Sequence, residues 1–261
     1  PEPRRQGKPG QLNYFCERPY QTEARLAIEE GFKEHQSVVV ELATGLGKTE
    51  IFTQIAKDWS EGRCLVIAPY VQLIGQAAKK IFLRTGEQPG VEQAQNWSVE
   101  TPWGRSKYVV ASKDTLTSGD PPRYERIRDV GLVVVDEAHL SITRKWKELL
   151  DYYRRDGAKV LGVTATAKRH DKKAMLNCYE ECVYQYGIRD AVGEGWLTPA
   201  ITHCVQLESL DLSGVETSNT THGRDFRQTQ LNKLLEDSKT IMEIADITAK
   251  ETRGEKTVIY C

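Results

Sequence analysis

The sequence lacks any apolar run near the roughly 20 residues that a transmembrane helix requires. Its first five residues are prolines and charged side chains, and no apolar core of the secretory kind follows them. Mean hydropathy is low, at -0.53. These absences argue against a membrane-spanning or secreted protein. We therefore expect a cytoplasmic location, or a nucleoid or nuclear one together with DNA.

An excess of positive charge is missing as well. The 36 Lys and Arg residues are balanced by 37 Asp and Glu residues, which leaves a formal net charge of -1. Proteins that bind nucleic acid through bulk electrostatics are usually basic. Any nucleic-acid site on this chain must therefore be a local patch.

Cysteines are few and scattered, at positions 16, 64, 178, 182, 204 and 261. This distribution predicts reduced thiols rather than a disulfide framework. Cys178 and Cys182 have a C-x3-C spacing, which would suit a metal ion if two further ligands converged on them. Because no second pair lies nearby, two ordinary, partly buried thiols are the favoured interpretation.

Apolar, β-branched runs alternate with helix-like stretches, which is typical of a parallel sheet wrapped by helices. The 261 residues, 39% of them hydrophobic, suffice for one large α/β domain with an appendage. The predicted strands are 38–41, 64–68, 108–112, 132–136 and 160–164. The predicted helices are 21–33, 50–59, 72–83, 145–155 and 188–194. Because ligands bind beyond the carboxyl ends of strands in such sheets, we expect one functional rim.

The remaining segments divide the chain. Residues 86–107 and 214–223 are polar and rich in turn residues, so both are predicted to be irregular, and residues 226–250 keep the spacing of one helix. We expect a flexible basic N-terminus over 1–12, a main domain over 13–206, and a loop and linker helix over 207–255. Residues 256–261 are expected to be the first strand of a second domain.

A glycine-rich loop, Ala-Thr-Gly-Leu-Gly-Lys-Thr at 43–49, follows the first predicted strand. Glycines let backbone N–H groups close around phosphate oxygens. Lys48 would add a charge for the β and γ phosphates, and Thr49 a hydroxyl for Mg²⁺ at a helix start. Leu42 stands where the common form of this loop has its first glycine, which narrows the family.

An acidic pair, Asp136 and Glu137, ends another predicted strand and is followed by Ala138 and His139. One carboxylate can hold Mg²⁺ while the other orients and deprotonates a water molecule. An acidic strand end with a capping histidine is the plain alternative. Beside the glycine loop, the pair indicates nucleotide hydrolysis.

Several motifs in a fixed order resemble those of the first RecA-like motor domain of superfamily-2 DNA helicases and translocases. They lie at 18–21, 43–49, 69–76, 112–116, 136–139 and 164–166. The strongest resemblance is to the group of DEAH-box repair helicases and of type I and type III restriction motor subunits. It covers about 13–206, and again 256–261. It implies a RecA-like P-loop NTPase fold, mostly a parallel sheet with helices on both faces, plus a C-terminal helical linker.

The resemblance also assigns roles. Gln21 matches the residue that reads adenine, which implies ATP. The nucleotide site would comprise Arg18, Gln21, Ala43, Thr44, Gly45, Leu46, Gly47, Lys48, Thr49 and Glu50. Catalysis would rest on Lys48, Asp136 and Glu137, with Thr49 and Asp136 as the ligands of Mg²⁺. Coupling to domain movement would rest on His139, Thr164 and Thr166. Contacts to the nucleic-acid backbone would come from Pro69, Tyr70, Gln76, Ser112, Lys113 and Thr115.

The motors in this group close a second lobe over the first, and that lobe supplies an arginine to the transition state. We therefore expect this chain alone to bind ATP weakly and to hydrolyse it slowly or not at all. Two other classes stay open: a nucleotide-dependent switch or scaffold with the same fold, and a P-loop phosphotransferase. RNA rather than DNA also stays open as the partner, since the preference for DNA comes from the resemblance.

Overall fold

The computed structural model describes residues 17–94, 96, 105–165, 175, 177–202, 204, 207–220, 223–253 and 257. The chain divides into two compact units, Pro1–Pro199 and Ala200–Cys261. No helix in the described part is long and apolar enough to cross a membrane. Three predicted features lie outside these residues: the N-terminus at 1–12, Thr166, and all of the last predicted strand except Thr257.

The first unit contains a seven-stranded sheet. In chain order the strands are β1 (Ser37–Leu42), β2 (Arg63–Ala68), β3 (Gly90–Glu92), β4 (Tyr108–Ser112), β5 (Val130–Asp136), β6 (Lys159–Thr164) and β7 (Glu181–Tyr186). Their order in the sheet is β3-β4-β2-β5-β6-β1-β7, and all six neighbouring pairs are parallel. The five predicted strands are confirmed. The sequence patterns did not identify β3 and β7.

Helices cover both faces of this sheet. They are α1 (Pro19–Glu34), α2 (Lys48–Asp58), α3 (Val71–Thr85), α4 (Lys113–Leu116), α5 (Arg144–Arg155) and α6 (Ile188–Gly193). Along β5 alternate residues enter two hydrophobic cores: Val134 packs with α1, α2 and α3, whereas Val135 packs with α5. Such two-sided burial explains why the strands are continuous Val- and Ile-rich runs rather than alternating ones.

Two segments that were predicted to be irregular contain strands. Residues 86–107 include β3, which pairs only with β4. It has three residues and begins at a glycine, so it lacks the alternation of apolar and polar residues that would predict a strand. In the second unit, residues 214–223 contribute to an antiparallel hairpin of β8 (Thr217–Thr220) and β9 (Gly223–Phe226).

The prediction of one helix over 226–250 was wrong. The second unit has two helices there, α7 (Gln228–Leu235) and α8 (Ser238–Thr252). Asp237 interrupts the segment because its side chain accepts a hydrogen bond from the backbone N–H of Lys239 at 3.0 Å and caps α8. The apolar spacing runs through the break, which is why periodicity alone did not show it.

Candidate active site at the carboxyl edge of the sheet

The strand order brings three predicted motifs to one rim. β5, β6 and β1 are neighbours, and the glycine loop follows β1 while Asp136 and Thr164 end β5 and β6. Asp136 is paired with Val163, and Thr164 with Glu41. Parallel strands end at the same edge, so residues far apart in sequence meet there.

The glycine loop has the conformation that its glycines predict. Gly45 and Gly47 have φ values of 88° and 79°, in the left-handed region that residues with a Cβ avoid. A Cβ on Gly47 would lie 2.7 Å from Nε2 of Gln21, and one on Gly45 would lie 3.2 Å from Cδ2 of Leu197. Backbone conformation and close neighbours therefore both require glycine at position 47.

Two side chains of α1 hold the loop at a single atom. The Tyr20 hydroxyl and the Gln21 amide both donate to the Leu46 carbonyl oxygen, each at 3.0 Å. Leu46 is fully buried. Because a buried carbonyl needs partners, these two donors stabilise the loop in the absence of phosphate.

Gln21 lies where the adenine-reading residue was predicted, and it is buried. Its Oε1 accepts from the backbone N–H of Arg18 at 3.0 Å, which ties down the first turn of α1. A primary amide has two donors and two acceptor lone pairs. Among the described residues, Arg18 and Leu46 use one donor and one lone pair of this amide, and the other donor and lone pair have no partner there.

Lys48 begins α2, and its ammonium donates to the Leu42 carbonyl at 3.4 Å. This contact is long, so moving the ammonium to a phosphate would forfeit little. Thr49 follows in the first turn of α2 and is half-buried. Ala43 is buried, whereas Thr44 is exposed at the tip of the loop.

Glu50 was predicted to belong to the nucleotide site, and the structure engages its carboxylate elsewhere. Its two oxygens pair with Lys80 Nζ at 2.9 Å and Arg84 NH2 at 2.7 Å, both on α3. Burial, the largest single influence, raises the pKa of Glu50, but the hydrogen bonds and charges of Lys80 and Arg84 lower it overall. These two salt bridges link α2, the helix after the glycine loop, to α3.

Asp136 and Glu137 share one region of negative charge. Burial and the charge of Glu137 raise the pKa of Asp136, while the backbone N–H of Glu137 and the ammonium groups of Lys48 and Lys80 act in the opposite direction. Glu137 has a φ of 51°, uncommon for a residue with a side chain. Such strained positions concentrate at functional sites.

His139 connects two strand ends. Its Nδ1 lies 3.0 Å from Oγ1 of Thr164 and 3.4 Å from Oε2 of Glu137. His139 and Thr164, two of the residues that the resemblance assigns to coupling, are thus in direct contact. Thr166, the third residue predicted for coupling, lies outside the described residues.

Among the residues predicted to contact nucleic acid, those that follow β2 are accessible. Tyr70 is 56% exposed and directly precedes α3. Pro69 is half-buried, and Gln76 is exposed on α3. A helix start after a strand presents unpaired N–H groups, which suit a phosphate.

The residues that follow β4 are more enclosed. Ser112 and Thr115 are buried, and their hydroxyl oxygens lie 2.7 Å apart. Thr115 Oγ1 also accepts from the backbone N–H of Ala94 at 3.2 Å, which fixes the turn after β3. Lys113 is paired with Asp114 at 2.7 Å. Only Lys113 of this group has its polar end near the surface.

An aromatic group beside the glycine loop was not assigned to the site from the sequence. Tyr186 stacks on Tyr20 with ring centroids 4.9 Å apart, and its carbonyl accepts from the N–H of Ala43 at 3.1 Å. Trp196 meets Tyr20 edge-on at 5.6 Å. The position of Tyr20 directly before Gln21 was the one available sequence signal.

The fold and the rim together define a RecA-like domain, and comparison with known proteins gives its family. The family described as "Type III restriction enzyme, res subunit" matches residues 15–169, and the chain belongs to it. The chain has the architecture of the first motor domain of superfamily-2 helicases.

The chain is also similar to a curated relative and to two solved structures. It is 29% identical over 250 residues to the "Putative ATP-dependent helicase IRC3" of Saccharomyces cerevisiae, covering 89% of this chain and 34% of that protein. The Hef helicase domain of Pyrococcus furiosus is 26% identical with a TM-score of 0.54, covering 67% of this chain and 39% of that one.

A nuclease-deletion mutant of the type ISP restriction-modification enzyme LlaGI, solved with a DNA substrate mimic, shares the fold. It is 16% identical with a TM-score of 0.51, covering 69% of this chain and 20% of that one. The chain thus spans about a third of the curated relative named above.

Proposed function

We propose that this chain is the ATP-binding lobe of a helicase or translocase motor that hydrolyses ATP with Mg²⁺ to move along or unwind DNA. The observation that supports this best is geometric. The glycine loop follows β1, and Asp136 ends β5, two strands away at the same edge of the sheet. A loop that surrounds phosphates and a carboxylate that holds their metal ion have to meet at one rim in this way.

The residues present fit Mg²⁺. This ion takes hard oxygen ligands and usually keeps several waters. Thr49 offers a hydroxyl and Asp136 a carboxylate, and a carboxylate beside Glu137 with a raised pKa is one whose ionised form a cation would stabilise. Once bound there, the ion would neutralise charge on the phosphates during transfer.

The side chains of the chain itself then divide the work. Lys48 would bind the β and γ phosphates, and the loop N–H groups would surround them. Glu137 would orient the attacking water and accept its proton. His139 and Thr164 would transmit the state of this site to a second lobe.

DNA is the proposed partner. The Saccharomyces cerevisiae relative, which is named as an ATP-dependent helicase, and the LlaGI structure with a DNA substrate mimic support this choice. Pro69, Tyr70, Gln76 and Lys113 are the side chains best placed to contact its backbone, with Ser112 and Thr115 supporting the turn beneath them. Because the net charge is -1, the contact must be local.

Nucleotide binding tests the first part of the proposal. The chain should bind ATP with Mg²⁺ in a calorimetric titration. Lys48→Ala should weaken binding at least tenfold, because the site loses the positive charge that would pair with the phosphates. Lys57→Ala, at the far end of the same helix, is the matched control. Equal affinities of the Lys48→Ala variant and the unaltered chain would refute the assignment of the loop.

Stimulation by nucleic acid tests the second part. In a protein that also carries a second motor lobe, we expect single- or double-stranded DNA to raise the rate of ATP hydrolysis more than RNA does. A rate indifferent to every nucleic acid would favour a nucleotide-dependent switch. Greater stimulation by RNA would mean that RNA, and not DNA, is the partner. The expected cellular location, cytoplasmic or together with DNA, stays a prediction.

A further inference from the structure

The Arg18 guanidinium is held against an indole. Its Cζ lies 5.4 Å from the centroid of the Trp196 ring, and its NH1 donates to the Tyr20 hydroxyl at 3.0 Å. Arg18 lies at the N-cap of α1, and Trp196 is close behind α6, 178 residues later in the chain. The Arg18 guanidinium is therefore held by two groups, the indole ring of Trp196 and the hydroxyl of Tyr20.

The indole is itself anchored. Trp196 Nε1 donates to Oε2 of Glu194 at 3.0 Å, and the Tyr186 hydroxyl donates to the same oxygen at 2.6 Å. The backbone N–H of Trp196 donates to the Ala191 carbonyl at 2.8 Å. One carboxylate oxygen and one carbonyl thus set the position and tilt of the ring.

This assembly reaches the glycine loop by a short route. Tyr20 stacks on Tyr186, meets the edge of Trp196 and donates to the Leu46 carbonyl at 3.0 Å. Gln21, whose amide retains one donor and one lone pair, donates to the same carbonyl. Arg18 thus reaches the glycine loop through Tyr20 and lies beside the Gln21 amide, the group that the resemblance assigns to adenine.

We propose that Trp196 is a positioning residue for the nucleotide base. By holding the Arg18 guanidinium over its ring, it keeps a fixed cation ready for the base of a bound nucleoside triphosphate. The inference rests on the proposed function, because it assumes that the glycine loop takes the phosphates.

The physical reason is conformational entropy. An arginine side chain has many rotamers and loses this freedom when it is fixed. While Trp196 is present that cost is met on folding, and without it the cost falls on nucleotide binding. The loss should affect ligands that have a base and spare ligands that consist of phosphate alone.

The test compares two ligands on this chain by calorimetric titration: ATP and inorganic tripolyphosphate, both with Mg²⁺. Trp196→Ala should weaken ATP binding about tenfold and change tripolyphosphate binding less than twofold. Trp196→Phe keeps an aromatic face and should restore most of the affinity for ATP. Trp196→Leu keeps apolar bulk without that face, and it should resemble Trp196→Ala and take its place if the alanine variant does not fold.

A double-mutant cycle with Arg18→Met isolates the mechanism. In that background, replacing Trp196 should have little further effect on ATP affinity, since there is no guanidinium left to hold. Additive losses would overturn the proposal. So would an unchanged affinity for ATP in both the Ala and Leu variants, or an equal loss of ATP and tripolyphosphate, which would mean that Trp196 only supports the loop.

Failure of the proposed function would look different. If the unaltered chain bound neither ligand, or if Lys48→Ala left both affinities unchanged, the glycine loop would not be a phosphate site. The inference about Trp196 would be overturned with it. A loss of both ligands in Lys48→Ala, together with a loss in the Trp196 variants that is confined to ATP, supports both.

Discussion

The two hydrogen bonds to the Leu46 carbonyl allow a quantitative prediction of stability. It is buried, and its two donors, Tyr20 and Gln21, come from neighbouring positions of α1. Removing one donor with Tyr20→Phe or Gln21→Met leaves the other, so each variant should lower the free energy of unfolding by about 1 kcal/mol. Removing both leaves a buried acceptor without a partner, which costs about 1–3 kcal/mol by itself.

The double variant should therefore lose more than the sum of the single losses, by about 1 kcal/mol. Urea unfolding followed by tryptophan fluorescence measures this cleanly, since all five tryptophans lie within Pro1–Pro199 and report on that unit alone. Tyr184→Phe is the control: its hydroxyl bonds to the exposed Glu23, and its loss should cost little.

Additivity within about 0.5 kcal/mol would refute this reasoning, because it would mean that the two donors do not share the burden of one buried atom. A double variant as stable as the unaltered chain would mean that water replaces both donors. Either outcome would remove Tyr20 and Gln21 as the supports of the loop.

Two further predictions concern carboxylates. Because folding raises the pKa of Asp136, ionisation of this carboxyl destabilises the fold. The destabilisation is complete at pH values above the raised pKa and absent below the ordinary carboxyl range. Asp136→Asn should raise the thermal midpoint by about 2 °C at pH 8 and by less near pH 4, with the exposed Asp114→Asn as control. The pKa of Glu50 is lowered, so its pairing stabilises the fold above the ordinary carboxyl range and is lost as pH falls through the lowered value. Glu50→Gln should therefore cost about 1 kcal/mol at pH 7, a difference that closes in acid, whereas Glu148→Gln in an exposed pair should cost almost nothing. An unchanged midpoint for Asp136→Asn, or a Glu50 effect independent of pH, would contradict these pKa directions.

The strands at the centre of the sheet could be predicted because their burial is two-sided. Val133 and Val134 face opposite cores, so the whole run must be apolar, and such a run stands out from polar neighbours. The edge strands gave no such signal. β3 has three residues, and β7 is mostly half-buried, with an exposed charged residue at its start. Edge strands owe their place to pairing with a neighbour, which composition does not record.

The candidate site divides in the same way. The residues proposed to contact phosphate or metal, such as Lys48 and Asp136, are recognisable from their spacing along the chain. Glu50 illustrates the limit, because its neighbour in sequence is the loop while its partners are on α3. Trp196 illustrates it further, since nothing near it in sequence points to Arg18.

Inside the loop the Leu46 N–H donates to the Ala43 carbonyl at 3.3 Å, and further support comes from outside. Gly45 and Gly47 supply the left-handed turns but no side chains, and Lys48 reaches back only to a carbonyl 3.4 Å away. The rigidity needed to present N–H groups to phosphate must then come from neighbours with fixed rings and satisfied polar atoms. Tyr20, packed between Tyr186 and Trp196, is such a neighbour. A substitution of Tyr20 or Tyr186 should consequently alter nucleotide binding even though neither residue belongs to the glycine loop.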